Sequence, residues 1–240
     1  MLNLSILGAS GRMGKELIAL IQENSKFNLL QAITSPRSAC LGKDSGEYFF
    51  KQDNQVLFTS SLDEKLLPHC LIDFSVGSSH EVHLKWAVEH SVPFLIGTTA
   101  LSEAFEENLN QASTKIAILQ DCNFSLGINL MKKMLKDFSE CLSQDFDIEI
   151  VEKHHKEKKD VPSGAALNFA NIIQKSSNYS KHLKIGRCAQ DKQRKENEVG
   201  IHSIRGGKIA GEHNIMFIND LEKLEISHQA LHRSCFAKGT

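Results

Sequence analysis

The chain has 240 residues, 41% of them hydrophobic and 24% charged, with 28 Lys plus Arg against 29 Asp plus Glu. This is the composition of an ordinary globular protein, long enough for one large or two modest domains that need no disulfide staples. A formal net charge of −1 excludes a general nucleic-acid or anionic-membrane binder, which depends on surplus Lys and Arg, so any bound anion must be met by a local cluster.

Cysteines at 40, 70, 122, 141, 188 and 235 form no CxxC pair and have no closely spaced His to complete a zinc site. They read as reduced packing thiols, and no metal is expected. The N-terminus lacks a basic region and its apolar run is broken, and no stretch reaches the roughly 18 apolar residues of a membrane span. The expectation is a cytoplasmic protein with no membrane and no nucleic-acid partner.

Residues 4–7 read as a strand leading into Gly8-Ala9-Ser10-Gly11-Arg12-Met13-Gly14, and 16–21 have helical apolar spacing. A glycine-rich turn between a first strand and a first helix is the context of a dinucleotide fingerprint. Glycines permit the tight turn and bring backbone N–H groups to a pyrophosphate at the helix N-terminus. Ser10 replaces the usual second glycine, and the bland alternative is a turn with no ligand. A second strand spans 29–33. At its end an NAD site would carry an acid for the ribose hydroxyls, but here stand Thr34-Ser35-Pro36-Arg37, which suit a 2′-phosphate better.

Strands at 71–74, 93–96 and 116–119 alternate with helices at 80–90 and 102–111, the pattern of βαβ units and a parallel sheet. Gly97-Thr98-Thr99 and Cys122-Asn123-Phe124-Ser125 follow later strands at the carboxyl edge, where such sheets bind ligands. Each alone reads equally as a turn.

The pattern changes near Ser125. A long amphipathic helix at 126–142 precedes a period-two run at 146–152, and further strands fall at 199–204, 214–218 and 224–227. The polar stretch 176–197 reads as a mobile loop. The fold class is therefore α/β, a Rossmann-type doubly wound parallel sheet plus an α+β domain with a mixed or open sheet.

The densest chemistry lies at 152–167. His154, His155 and four lysines, including Lys158, precede Pro162-Ser163-Gly164-Ala165 and a helix at 165–173. Backbone N–H groups at that helix start, facing a cationic segment, suit a carboxylate-bearing ligand, and a His among lysines can serve as a proton donor. The competing reading is a solvated charge run on a loop. Residues 205–213, Arg-Gly-Gly-Lys-Ile-Ala-Gly-Glu-His, read as a hairpin with a glycine-rich turn.

Taken together and in this order, these motifs, with 71–75 (Leu-Ile-Asp-Phe-Ser), 123–129 and 227–239, resemble the dihydrodipicolinate reductase family of diaminopimelate and lysine biosynthesis. The resemblance runs from Gly8 to Gly239 and is most specific at His154-His155, Lys158, Asp160 and Pro162-Ser163-Gly164. It implies hydride transfer from NADPH or NADH to a conjugated cyclic imine carrying two carboxylates, with a His protonating the resulting enamine. It matches His154 to the acid and Lys158 to its assistant, and His155, Ser163, Gly164 and Ala165 to substrate contacts. Gly8, Ala9, Ser10, Gly11, Arg12 and Met13 fall to the pyrophosphate loop and Thr34 and Ser35 to the ribose selector. Gly97, Thr98 and Thr99 with Cys122, Asn123, Phe124 and Ser125 fall to the nicotinamide side.

The family also implies a homotetramer built on the second domain's sheet. The expected division is a coenzyme domain at 1–125, with 236–240 returning to it, and a substrate-binding and oligomerisation domain at 126–235. Departures from the family pattern are Ala165 in place of Thr, the missing ribose acid, polar residues at 190–197 in place of a glycine-rich stretch, and an end at Thr240 before the usual closing helix. An aspartate- or diaminopimelate-type dehydrogenase would explain the coenzyme domain but not the paired His and Lys. A catalytically inactive nucleotide sensor would have no use for a proton donor.

Overall fold

The computed structural model describes residues 1–98, 101–141, 146–176, 182–191 and 193–240. It divides into Met1–Cys122 with Thr240, and Asn123–Gly239.

The first unit carries β1 (Leu2–Leu7), α1 (Arg12–Glu23), β2 (Phe27–Ile33), α2 (Ser45–Phe50), β3 (Phe58–Thr59), β4 (Cys70–Asp73), α3 (His80–Glu89), β5 (Phe94–Ile96), α4 (Glu103–Ala112) and β6 (Ile118–Gln120). The strands form one sheet in the order β3-β2-β1-β4-β5-β6, every pair parallel. Because the order reverses beside β1, a crevice opens at the carboxyl ends of β1 and β4, where such sheets bind ligands. Fully parallel strands are covered on both faces and must be apolar throughout, as Phe94-Leu95-Ile96 are, all three buried. Leu84, Phe105 and Leu109 from the helices pack with Leu7, Leu71, Phe94 and Ile96 of the strands, each such side chain contributing about 1.5–3 kcal/mol of transfer free energy. Ser102 starts α4 by accepting from the Phe105 amide at 3.2 Å, with Glu103 and Glu106 complementing the dipole of the first turn.

The second unit holds α5 (Leu126–Cys141), β7 (Asp147–His154), α6 (Gly164–Ser176), β8 (His182–Ile185), β9 (Glu198–Arg205), β10 (Glu212–Ile218), β11 (Lys223–Gln229) and α7 (Ser234–Gly239). The sheet order is β11-β10-β7-β9-β8. β7, β8 and β9 run parallel, while β10 is antiparallel to β7 and β11. Ile148, Ile150, Val199, Ile201, Ile215 and Phe217 point to one face and meet Ile128, Met131 and Leu135 of α5 and Phe169 and Ile173 of α6. The opposite face, with Glu149, Val151, Asn214 and Met216, is only partly buried.

Two expectations are corrected. Residues 205–213 are not the turn of a hairpin, because β7 lies between β9 and β10 and the segment crosses the end of β7. The Gly206 amide donates to the His154 carbonyl at 2.9 Å on the way. Among its described residues the polar stretch 176–197 contains the edge strand β8, and Arg187 is paired with Glu149 at 2.9 Å and with Glu198. Residues 234–239 are helical, with 236–239 in the second unit and Thr240 grouped with the first. α7 packs on α5 there, and a Cβ on Gly239 would collide with the Phe124 carbonyl.

Candidate active site

In the first unit, Gly8 takes φ +76°, a conformation that disfavours any side chain. A Cβ there would lie 2.6 Å from the Phe74 carbonyl oxygen, and one on Gly14 would lie 2.2 Å from the Ala9 carbonyl oxygen. Both glycines are therefore required by close backbone approach. Gly11 is the N-cap of α1 and brings no side-chain acceptor to the first-turn amides, and no acidic residue lies in that turn. A helix start with no side-chain cap and no acid in its first turn fits a pyrophosphate. Ser10, where a glycine was expected, turns its hydroxyl to Thr34 Oγ1 at 2.5 Å and ties the loop to the end of β2. Thr34 is buried, whereas Ser35 and Arg37 are exposed, the Ser35 hydroxyl accepting from the Arg37 amide at 3.2 Å.

Gly97 and Thr98 follow β5 at the same edge. A Cβ on Gly97 would strike the Phe74 ring, and the Thr98 hydroxyl donates to the Ser75 carbonyl at 3.1 Å. Thr99 lies outside the described residues. Cys122 ends the first unit, and Asn123, Phe124 and Ser125 begin the second. Asn123 Oδ1 accepts from the Ser125 amide at 2.9 Å, and Ser125 caps α5 through the Ile128 amide at 3.4 Å.

In the second unit the core stripe of β7 continues in phase beyond its apolar part: Ile148 and Ile150 are followed on the same face by Glu152 and His154. That phase buries Glu152 completely and leaves His154 only 9% exposed. His154 Nδ1 lies 2.5 Å from Glu152 Oε2, and Arg205 at the end of β9 grips the same carboxylate with Nη1 at 2.9 Å and Nη2 at 2.7 Å. Burial pushes the Glu152 carboxyl up, but hydrogen bonds from His154 and Arg205 outweigh it and hold the group well below the usual carboxylate range. An ionised carboxylate only accepts, so Nδ1 of His154 carries the hydrogen and Nε2 is the atom left to exchange a proton.

His213 of β10, paired with Glu152 of β7, is buried with Nε2 3.2 Å from the Ser163 hydroxyl and its ring edge-on to His154. Burial, reinforced by the charge of His154, pushes it down to about 3, so it is neutral. Ser163 caps α6 by accepting from the Ala166 amide at 3.3 Å. That cap does not use the amides of Gly164 and Ala165, which open the helix. The Ala165 methyl is buried in the core of the unit. Lys158 is held 2.8 Å from Asp160, whose carbonyl also accepts from Arg205 at 2.7 Å. Burial opposes ionisation of Asp160, but Lys158 keeps it below its ordinary value.

The structure thus brings His154, Lys158, Ser163 and Gly164 together around β7. Sequence reasoning missed Glu152, Arg205 and His213 as site residues. The signal for Glu152 was its phase, a charged residue continuing an alternating apolar face. Arg205 and His213 become visible only once β9 and β10 are known to flank β7.

A glycine-rich turn between the first strand and first helix of a parallel sheet, and a carboxylate-oriented imidazole among cationic groups, are features of a nicotinamide-dependent oxidoreductase. The comparisons narrow the class. Residues 2–124 match the family described as Dihydrodipicolinate reductase, N-terminus, and residues 127–240 match Dihydrodipicolinate reductase, C-terminus. The 4-hydroxy-tetrahydrodipicolinate reductase of Psychrobacter arcticus is 38% identical over 242 residues, covering 100% of this chain and 87% of the relative. That of Cupriavidus taiwanensis is 37% identical, covering 99% and 91%. The dipicolinate-bound dihydrodipicolinate reductase from Paenisporosarcina sp. TG-14 shares the fold, with a TM-score of 0.75 at 22% identity over 100% of this chain and 91% of that one. The chain belongs to the dihydrodipicolinate reductase family. Among the described residues no helix is long and apolar enough to cross a membrane, and no cluster of His, Cys, Asp and Glu could hold a metal ion.

Proposed function

We propose that this protein is an NAD(P)H-dependent oxidoreductase that reduces 4-hydroxy-tetrahydrodipicolinate, by way of the conjugated cyclic imine, to tetrahydrodipicolinate in diaminopimelate and lysine biosynthesis. The observation that carries the reading is the buried Glu152–Arg205 pair holding Nδ1 of His154, which leaves Nε2 as the proton-donating atom. When bound, NAD(P)H supplies the hydride, and the proton falls to the chain. His154 delivers it from Nε2 to the enamine, and Glu152 stabilises the imidazolium before transfer. Lys158 assists and, with His155, attracts a substrate carboxylate. The amides of Gly164 and Ala165 receive a carboxylate at the start of α6. Alanine at 165 offers no hydroxyl there, so the backbone alone makes that contact. A nucleotide sensor has no use for this oriented acid.

The first unit's Gly8, Ala9, Ser10, Gly11, Arg12 and Met13 take the pyrophosphate. Gly97, Thr98 and Thr99, with Cys122, Asn123, Phe124 and Ser125, take the nicotinamide side. Thr34, buried and tied to Ser10, shapes the ribose pocket. Exposed Ser35 and Arg37, with no acid beside them, favour the 2′-phosphate of NADPH. The partly exposed outer face of the second sheet supports a homotetramer, and a biosynthetic step drawing on NAD(P)H suits the cytoplasm.

The test follows nicotinamide oxidation with freshly prepared 4-hydroxy-tetrahydrodipicolinate under saturating NADPH and NADH, alongside light scattering for mass. Turnover, with KM lower for NADPH, and a mass four times that of the 26.8 kDa chain are expected. Coenzyme binding without turnover would favour the sensor reading.

A further inference from the structure

The Phe74–Ser75 peptide lies directly against Gly8, and the Phe74 ring against Gly97, in the two glycine loops assigned to the coenzyme. A Cβ on Gly8 would come within 2.6 Å of the Phe74 carbonyl oxygen and 2.8 Å of the Ser75 nitrogen, and one on Gly97 within 2.1 Å of the Phe74 ring. Any drift of this peptide therefore moves the floor under Gly8 and Gly97 together. Apolar packing alone would let it drift, because Ser75 is only partly buried and Val76 beyond it is 70% exposed.

What fixes the peptide is a polar network that the reduction itself does not use. Asp73, at the end of β4, is fully buried. Its Oδ1 accepts from the Ser75 amide at 2.7 Å and its Oδ2 from Nδ1 of His83 at 2.8 Å. His83 reaches down from α3 with its side chain 13% exposed. On the far side the Ser75 carbonyl accepts from Thr98 Oγ1 at 3.1 Å and faces His80 Nε2 at 3.3 Å, while the Gly97 amide donates to the Asp73 carbonyl at 3.0 Å. Burial opposes ionisation of Asp73, but the hydrogen bonds from His83 and Ser75 prevail and keep it below the ordinary carboxylate range. The carboxylate is thus a charged, acceptor-only post with a bond to each side of the turn.

A single buried hydrogen bond adds only modest net stability, so stability alone is a weak reason for this one. Its geometric effect is specific: it sets the Ser75 amide and carbonyl, and through them Thr98 and the clearance above Gly8. We propose that His83 and Asp73 are positioning residues of the coenzyme site, acting through the Phe74–Ser75 peptide. The inference rests on reading the first unit as the coenzyme domain.

The test is NAD(P)H titration by fluorescence, with steady-state kinetics, on the full chain and its His83→Ala and His83→Asn variants. His83→Ala raises coenzyme Kd and KM about tenfold, the loss expected for one charge-assisted buried hydrogen bond. It leaves kcat at saturating coenzyme and KM for the dicarboxylate within twofold. His83→Asn, whose amide can donate to the same Asp73 oxygen, recovers most of the affinity. Should His83→Ala not fold, His83→Leu keeps the packing volume without the donor and carries the same expectation. A folded donor-less variant with unchanged coenzyme Kd overturns the proposal, as does a loss shared equally by coenzyme and dicarboxylate with no rescue by Asn. If the unmodified chain fails to bind NAD(P)H, the coenzyme reading falls and the proposal with it.

Discussion

A methyl group at position 211 would stand 3.2 Å from Nε2 of His154 and 3.5 Å from its Cδ2. Relaxed contacts lie at about 3.5–4.0 Å, so Gly211→Ala forces a displacement of a few tenths of an ångström. The backbone cannot easily yield, since the Gly211 carbonyl accepts from the Ala230 amide at 2.8 Å, and on the other side His154 is pinned by Glu152. The methyl therefore sits against the one atom through which the acid works. Positioned acid catalysis contributes about 10²–10⁴-fold, and small misplacements forfeit much of it. The expected result is a kcat reduced about 10- to 100-fold, with coenzyme Kd unchanged and unfolding free energy within about 1 kcal/mol of the parent. Steady-state assays at saturating coenzyme, paired with urea unfolding, measure both. A Gly211→Ala enzyme with kcat within twofold of the parent would refute the placement of proton transfer at Nε2.

Replacing Arg205 with Met leaves the fully buried Glu152 carboxylate without its guanidinium and should cost about 3–5 kcal/mol in urea unfolding at pH 7. Adding Glu152→Gln should recover part of that loss, and a single-variant cost under about 1 kcal/mol would contradict the burial argument. His213, pushed down to about 3 by burial, refuses a proton that the unfolded chain accepts. Stability should therefore fall as pH drops from about 6.5 toward 4.5, at up to about 1.4 kcal/mol per unit. A neutral His213→Gln variant should show a flatter profile over that window, and an identical slope would remove His213 as the cause. Lys158→Ala should lower kcat and raise the dicarboxylate KM together, whereas an unchanged KM would confine Lys158 to the proton-transfer step.

The parallel sheet was legible because fully buried strands announce themselves as short apolar runs divided by helical spacing, as at 93–96 and 102–111. α2 and β3 were not, since six and two residues are too few to display a period. α2 is instead held by Asp44, which accepts from the Glu47 amide at 2.8 Å and also from Asn54 and Val56. β8 was hidden because an edge strand exposes its side chains and reads as loop. At the site, His154 and Lys158 stood out as a dense cationic run with a helix start behind it. Glu152 did not, because its partner Arg205 lies 53 positions away and reaches it only through the parallel pairing of β7 with β9. Reading 205–213 as a hairpin concealed that pairing, and with it the reason His154 has one free nitrogen to work with.

The central claim is that His154 donates the proton while the first unit presents the hydride. The direct measurement is nicotinamide oxidation by the unmodified enzyme and by His154→Ala, each with freshly made 4-hydroxy-tetrahydrodipicolinate and saturating NADPH. Because proton donation acts in the transition state, kcat should fall at least about 100-fold while the dicarboxylate KM and coenzyme Kd change little. A His154→Ala enzyme that turns over at a near-normal rate would contradict the account.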